Sequence, residues 1–206
     1  MTITERSISR VSFAVRLIDE FSARPSLLGE TRVFLTGRDQ TAIPRPGGYH
    51  VFMDLPGSSV TLRIENKHYF PKEVAISIPA LDARNPVTAQ TMKPNCLYPF
   101  PAATTLVRGV ILDPAQHPVQ GAHVSVVGAA AVANESEADG RFVLFWGPLD
   151  EDHISIVNHR RLLKIGNSTT IDLHVSHPSF QTADVTIGMV VEAELKLLTA
   201  PIVTNP

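Results

Sequence analysis

The sequence is short of cysteine, of helical periodicity and of charge of one sign. A single cysteine, Cys96, stands among 206 residues. It excludes an intrachain disulfide and any thiolate metal cluster. Cys96 lies in the proline-rich stretch "KPNCLYPFP", which reads as linker, so it is not expected to be a nucleophile. Lysine and arginine number 18 against 20 acidic residues, a formal charge of -2. No basic field gathers phosphates, so nucleic acid is not an expected partner. No apolar run approaches the roughly 18 residues of a membrane span. The first residues, "MTITERSISRVSFAVRLIDEF", alternate and carry Glu5, Arg6 and Arg10. With no apolar h-region they are not a signal peptide, which implies a cytoplasmic protein, with export by a non-standard route left open. The sequons at Asn134 and Asn167 carry little weight without a secretion signal.

Catalytic motifs are missing as well. There is no P-loop, no G-x-G-x-x-G after a strand and no G-x-S-x-G elbow. Asp150, Glu151 and Asp152 are consecutive but lack the spacing and glycine of an EF-hand, and read as a solvated turn. Eight histidines invite a metal search. His174 and His177 are three apart at a strand end and point to opposite faces, His153 and His159 flank a turn, and His50 and His68 belong to different strands. A metal site needs several ligands converging with a second shell, so none is expected. The expectation is a protein that is not an enzyme and holds no cofactor or metal.

What is present is alternation with a period of two. Hydrophobic residues make up 44% and charged residues 18%, enough to bury the cores of one or two domains. Val11, Phe13, Val15 and Leu17 line one face of a first strand. Val33 and Leu35 mark a second, Tyr49, Val51, Met53 and Leu55 a third, then Val60, Leu62 and Ile64, then Val74, Ile76 and Ile78. Glycine and proline punctuate the intervals, as in a sandwich or barrel. Residues 94–104 hold Pro94, Pro99 and Pro101 and read as a short, stiff linker. Strands resume with "TLVRGVILD", "AHVSVVG", "RFVLFW", "ISIV", "TIDLHVSH", "ADVTIG" and "VVEAELKLL", followed by a tail over 201–206 expected to be loosely held.

The second half repeats the first. Asp19 and Asp113 each end a first strand, and Val33, Leu35 and Gly37 match Val124, Val126 and Gly128. Tyr49, Val51 and Met53 match Phe142, Leu144 and Trp146 at an offset of 93. Leu62, Ile64, Tyr69, Val74 and Ile76 match Leu173, Val175, Phe180, Val185 and Ile187 at an offset of 111. The second copy therefore holds 18 extra residues, near 149–168. There Ile154 and Ile156, a turn at Asn158-His159, and Leu162, Leu163 and Ile165 outline a hairpin. In both copies a turn glycine, Gly48 or Gly140, precedes an aromatic, and a positive φ is expected at each.

In the second copy, "VRGVILDPAQHPVQGAHVSVVGAAAVANESEADGRFVLFWGPL" resembles the carboxypeptidase regulatory-like domain. Gly109, Asp113, Pro118, Val119, Gly121, Ala122, Val124, Gly140 and Phe142 stand at that pattern's places. Ser136 or Glu137 replaces its usual threonine, and the first copy keeps Asp19, Pro25, Gly29 and Val33. The resemblance implies an all-β chain of two tandem transthyretin-like (Greek-key) β-sandwich domains, over 1–93 and 105–200. It implies a non-catalytic structural or protein-interaction module. The alternatives are a carbohydrate-binding module or an accessory component of a phage-tail-like contractile assembly. Partners are then a protein or a second copy of the chain, with carbohydrate possible.

Candidate binding residues follow from aromatics and paired charge. His68, Tyr69 and Phe70 close a strand end, where exposed aromatics would bind sugars or proteins. Tyr69 has its counterpart in Phe180, which weighs toward a plug in each core, as does Trp146 in the place of Met53. Arg160 and Arg161, at the tip of the inserted hairpin, suit carboxylate recognition, whereas the plainer reading is a strand pair lengthening the second sandwich. Exposure of Tyr69, Phe70 and Trp146 separates sugar binding from protein binding.

Overall fold

A computed structural model describes residues 10–25, 27–56, 59–147, 149–198 and 202–204. The protein is all-β, and its chain divides into two compact units, Met1–Tyr98 and Pro99–Pro206. In the first unit the strands are β1 (Val11–Asp19), β2 (Thr31–Leu35), β3 (Ile43–Arg45), β4 (Tyr49–Met53), β5 (Ser59–Asn66), β6 (Tyr69–Ser77) and β7 (Val87–Met92). One sheet runs β3-β4-β1-β7 and the other β2-β5-β6. The first and last strands, β1 and β7, are parallel neighbours, and the other pairs are antiparallel. The segment before β3 first bonds to β2, through Ala42 N–H to the Val33 carbonyl at 2.8 Å, and then crosses to β4. One strand thereby serves both sheets.

In the second unit the strands are β8 (Thr105–Leu112), β9 (His123–Val126), β10 (Ala129–Glu135), β11 (Arg141–Trp146), β12 (Ile154–Val157), β13 (Arg160–Leu163), β14 (Ile171–His177), β15 (Phe180–Ile187), β16 (Leu195–Leu197) and β17 (Ile202–Val203). Sheets run β11-β8-β16 and β10-β9-β14-β15, with β12-β13 as a separate hairpin. Again the first strand takes parallel partners from the end of the chain, β16 and β17.

Alternation decides most of the core. Phe13, Val15 and Leu17 of β1, Val33 and Leu35 of β2, and Leu62 and Ile64 of β5 are at most 1% exposed. In the second unit Val107 and Ile111 meet Val124, Leu144, Leu173 and Val175. Burying such side chains stabilises by about 1.5–3 kcal/mol each.

The register differs from the expected one at β4. Phe13 pairs with Phe52 and Val15 with His50, while Val107 pairs with Leu144 and Gly109 with Phe142. Leu17 N–H donates to the Gly48 carbonyl, and Ile111 N–H to that of Gly140, both at 2.9 Å. Gly48 therefore corresponds to Gly140 and Tyr49 to Arg141, an offset of 92. Tyr49, Val51 and Met53 are half-buried on the outer side, and the core side chain of β4 is Phe52, stacked on Phe13 at 4.9 Å. A one-residue slip turns a strand over, so the face assigned from the sequence was the wrong one. At β2 and β5 the expected matches hold: Leu35 pairs with Leu62 as Val126 pairs with Leu173.

Two further expectations change. Residues 94–98, read as the start of a linker, pack into the first unit, with Asn95 and Tyr98 buried. The loosely held tail contains β17, where Ile202 pairs with Ile111 and is 4% exposed, because its side chain completes the second core. Residues 201, 205 and 206 of that tail lie outside the described ones. The inserted segment forms the expected hairpin. Asn158 and His159 have φ of 49° and 63°, as a two-residue turn between right-twisted strands requires.

Candidate functional site

His68, Tyr69 and Phe70 follow the turn from β5 into β6. Asn66 builds that turn: its Oδ1 accepts the His68 N–H at 2.7 Å, and its Nδ2 donates to the Leu28 carbonyl at 2.9 Å and to Thr31 Oγ1 at 2.7 Å. His68 Nδ1 lies 2.8 Å from the Leu97 carbonyl, which only accepts, so in the neutral ring Nδ1 donates and Nε2 is left as an acceptor. Tyr69 has 0% exposure. Its hydroxyl accepts the Leu28 N–H at 3.2 Å, and its ring meets that of Tyr98 edge-on at 5.5 Å. Phe70 is half-buried, and its N–H donates to the Lys93 carbonyl. Tyr69 is therefore a plug in the first core, the reading toward which its counterpart Phe180 weighed, with Phe70 half-buried beside it.

A buried polar cluster lies beneath. Asp19, 2% exposed, accepts the Tyr98 hydroxyl at 2.7 Å, the Ser22 hydroxyl at 2.7 Å and the Phe21 N–H at 3.0 Å. Burial, and then the Asp19 carboxylate, push the Tyr98 phenol above its ordinary value. Burial also raises Tyr69. Both phenols thus remain protonated near neutral pH and serve as hydrogen-bonding struts. Asp113 has the corresponding place in the second unit and a different surrounding. It caps an exposed turn by accepting the His117 N–H at 2.8 Å, which holds its carboxyl below the usual range.

Two shallow clefts flank Gly29. One of about 500 Å³ is lined by Glu30, Arg32, Asn66, Lys67 and His68. The other, about 390 Å³, is lined by Glu30, Pro44, Gly48 and His50. Burial lowers the His50 pKa, so this ring is neutral at pH 7. Glu65, which also lines the first cleft, lies 3.9 Å from Arg32 across it and 2.8 Å from Arg63 outside it. Imidazoles and charged side chains can hold polar groups, but among the described residues no nucleophile–base pair stands at either cleft. Among the described residues, no three of His, Cys, Asp or Glu are grouped to hold a metal ion.

The arginines of the inserted hairpin are engaged within their own unit. Arg161 binds Glu192 and, at 3.0 Å, Glu151, and these hydrogen bonds raise its pKa further. Arg160 lies 3.4 Å from Glu194. Leu163 N–H donates to the Val190 carbonyl and Glu192 N–H to that of Arg161, while Leu162 and Leu163 are buried. The hairpin is thus stitched to the segment preceding β16 but stays a two-stranded sheet of its own, so it does not lengthen either sheet of the second unit as the plainer expectation had it. The Asp19–Tyr98 contact spans 79 positions and has no local signal in the sequence.

No protein-family model matches the chain, and no curated protein does. Solved structures similar to it include a streptococcal ancillary pilin, 13% identical with a TM-score of 0.31, over 94% of this chain and 68% of that one. The shaft pilin SpaA from Lactobacillus rhamnosus GG is 9% identical with a TM-score of 0.31, over 96% and 98%. The Bacillus anthracis TIE protein is 9% identical with a TM-score of 0.31 over 96% of this chain, which spans only 33% of that protein. These likenesses reach the general class of β-sandwich proteins and no further. The expected cytoplasmic location conflicts with neighbours that are pilins and is withdrawn. A missing h-region in the first residues was the basis for that expectation, and an absence of this kind does not locate a protein. Among the described residues no helix is long and apolar enough to cross a membrane.

Proposed function

We propose that the chain is a non-catalytic structural or protein-interaction module built from two β-sandwich units. The observation that carries this is which large side chains meet solvent. Ile156 is 68% exposed, Leu197 63%, Met189 53% and Leu195 52%, whereas Tyr69 is fully buried and Trp146 is 7% exposed. Sugar platforms are flat exposed aromatics. Exposed aliphatic side chains on short edge strands such as β16 suit protein surfaces. The finer reading, a tandem of carboxypeptidase regulatory-like domains, draws support from the motif glycines. Gly121 and Gly140 have φ of 75° and 76°, and a Cβ on Gly109 would lie 2.7 Å from the Phe142 ring.

Glycan-array binding tests the module reading against sugar recognition. The expected result is no saturable binding to any oligosaccharide. Saturable binding that is lost in Phe70→Ala would overturn the proposal in favour of a carbohydrate-binding module.

A further inference from the structure

The second sheet of each unit ends on an edge strand, and the two copies treat that edge differently. Leu62 pairs with Val74 and Leu173 with Val185. Pro71, Lys72 and Glu73 of β6 therefore correspond to Thr182, Ala183 and Asp184 of β15. Pro71 removes an N–H from the first edge. Lys72 pairs with the buried Ile64, points to the inner side, and its Nζ donates to the Thr91 carbonyl at 3.0 Å. A proline and an inward-pointing charge are the devices that keep an edge from accepting another strand.

The second unit has neither device. Thr182 retains its N–H, and Ala183 and Val185 are half-buried at the rim of the core, where a further strand would cover them. The charge on the eight residues of β15 is Asp184, engaged by His174 Nδ1 at 2.6 Å. Among the described residues, no backbone hydrogen bond reaches β15 from the side away from β14.

We propose that this edge pairs with β15 of a second copy of the chain, antiparallel about a twofold axis at Ala183, making one continuous sheet across the two copies. The strand is its own complement in that register. Asp184 faces Thr182 of the second copy, so like charges do not oppose each other, and Ala183 faces Ala183. Small side chains at Thr182, Ala183 and Thr186 let the two edges approach. The proposal rests on the interaction-module reading and narrows it to one partner.

Sedimentation velocity at about 100 μM, where a micromolar association is saturated, tests it. The wild type is expected to sediment as a dimer. Ala183→Lys and Thr182→Pro, which give the second edge the guards of the first, are expected to sediment as monomers with unchanged circular dichroism. Should either variant fail to fold, Ala183→Cys in a Cys96→Ser background is expected to form a disulfide-linked dimer on mild oxidation, and Thr186→Cys is not. A monomeric wild type overturns the proposal, leaving the edge to a foreign strand and the module reading intact. A dimer indifferent to folded Ala183→Lys, or cross-linking at Thr186→Cys in place of Ala183→Cys, overturns it too.

Discussion

Gly48→Ala and Gly140→Ala are each expected to destabilise the protein by about 3 kcal/mol or more, whereas Gly37→Ala and Gly121→Ala lose only about 1 kcal/mol. All four glycines have φ between 75° and 76°. Backbone strain is therefore common to them, and the surroundings decide the difference. A Cβ at Gly48 would lie 2.3 Å from the Pro25 carbonyl oxygen and 2.9 Å from that of Leu17. At Gly140 it would lie 2.4 Å from the Ile111 carbonyl oxygen. Those oxygens belong to main chain that cannot swing aside. The contact is where β4 begins to pair with β1, and β11 with β8, so a shift there opens the sheet. Gly37 and Gly121 have nothing within 4 Å of the added carbon. Thermal unfolding checks the difference, since 1 kcal/mol moves the midpoint of a unit of this size by roughly 4–8 °C. Equal losses at Gly48 and Gly37 would remove close approach as the reason for the turn glycine.

Asp19→Ala is expected to cost roughly 3 kcal/mol and Tyr98→Phe about half as much. Asp19→Ala leaves the Tyr98 and Ser22 hydroxyls and the Phe21 N–H without their acceptor, while Tyr98→Phe leaves the carboxylate with two of its donors. A double-mutant cycle between the two is expected to show a coupling above about 1 kcal/mol. The phenol's raised pKa gives the sign of a pH effect. Tyr98 is neutral in both folded and unfolded chains below about pH 10, where the contribution is fully present, and it is lost as pH rises past that value. Tyr98→Phe should flatten this alkaline loss. Additive single-variant costs would mean that the contact does not tie residues 94–98 to the first unit.

The faces of β2 and β5 were legible because apolar and polar residues alternate in them, whereas in β1 the expected face held for Phe13, Val15 and Leu17 and failed at Val11, which is 46% exposed beyond a register shift. Asn158-His159 announced its hairpin through turn chemistry. β4 was misplaced for a reason visible across the sheet: where the first unit sets Val15 beside His50, the second sets Gly109 beside Phe142. Bulk has moved from one strand to its neighbour. Matching aromatic to aromatic along the sequence therefore slipped the alignment by one. β10, "AAAVANE", has no apolar–polar alternation and is a strand because β9 pairs with it. The prolines around Tyr98 concealed a buried segment, since composition reports stiffness and not what a chain packs against. Tyr69 was legible as a plug through its counterpart Phe180. Its companion Tyr98 was not, since their contact depends on the closed fold. The unguarded edge of β15 emerged only once register fixed which residue of one copy answers to which in the other.

On the proposed reading, aromatics such as Phe52, Tyr69, Phe142 and Trp146 close the cores, and aliphatic edges do the binding. The fluorescence of Trp146, the single tryptophan, tests it most directly. The folded protein is expected to emit at short wavelength, to resist acrylamide quenching until it unfolds, and to be unchanged by titration with oligosaccharides. Emission and quenching like those of the unfolded chain, with a saturable change on adding a saccharide, would contradict the account.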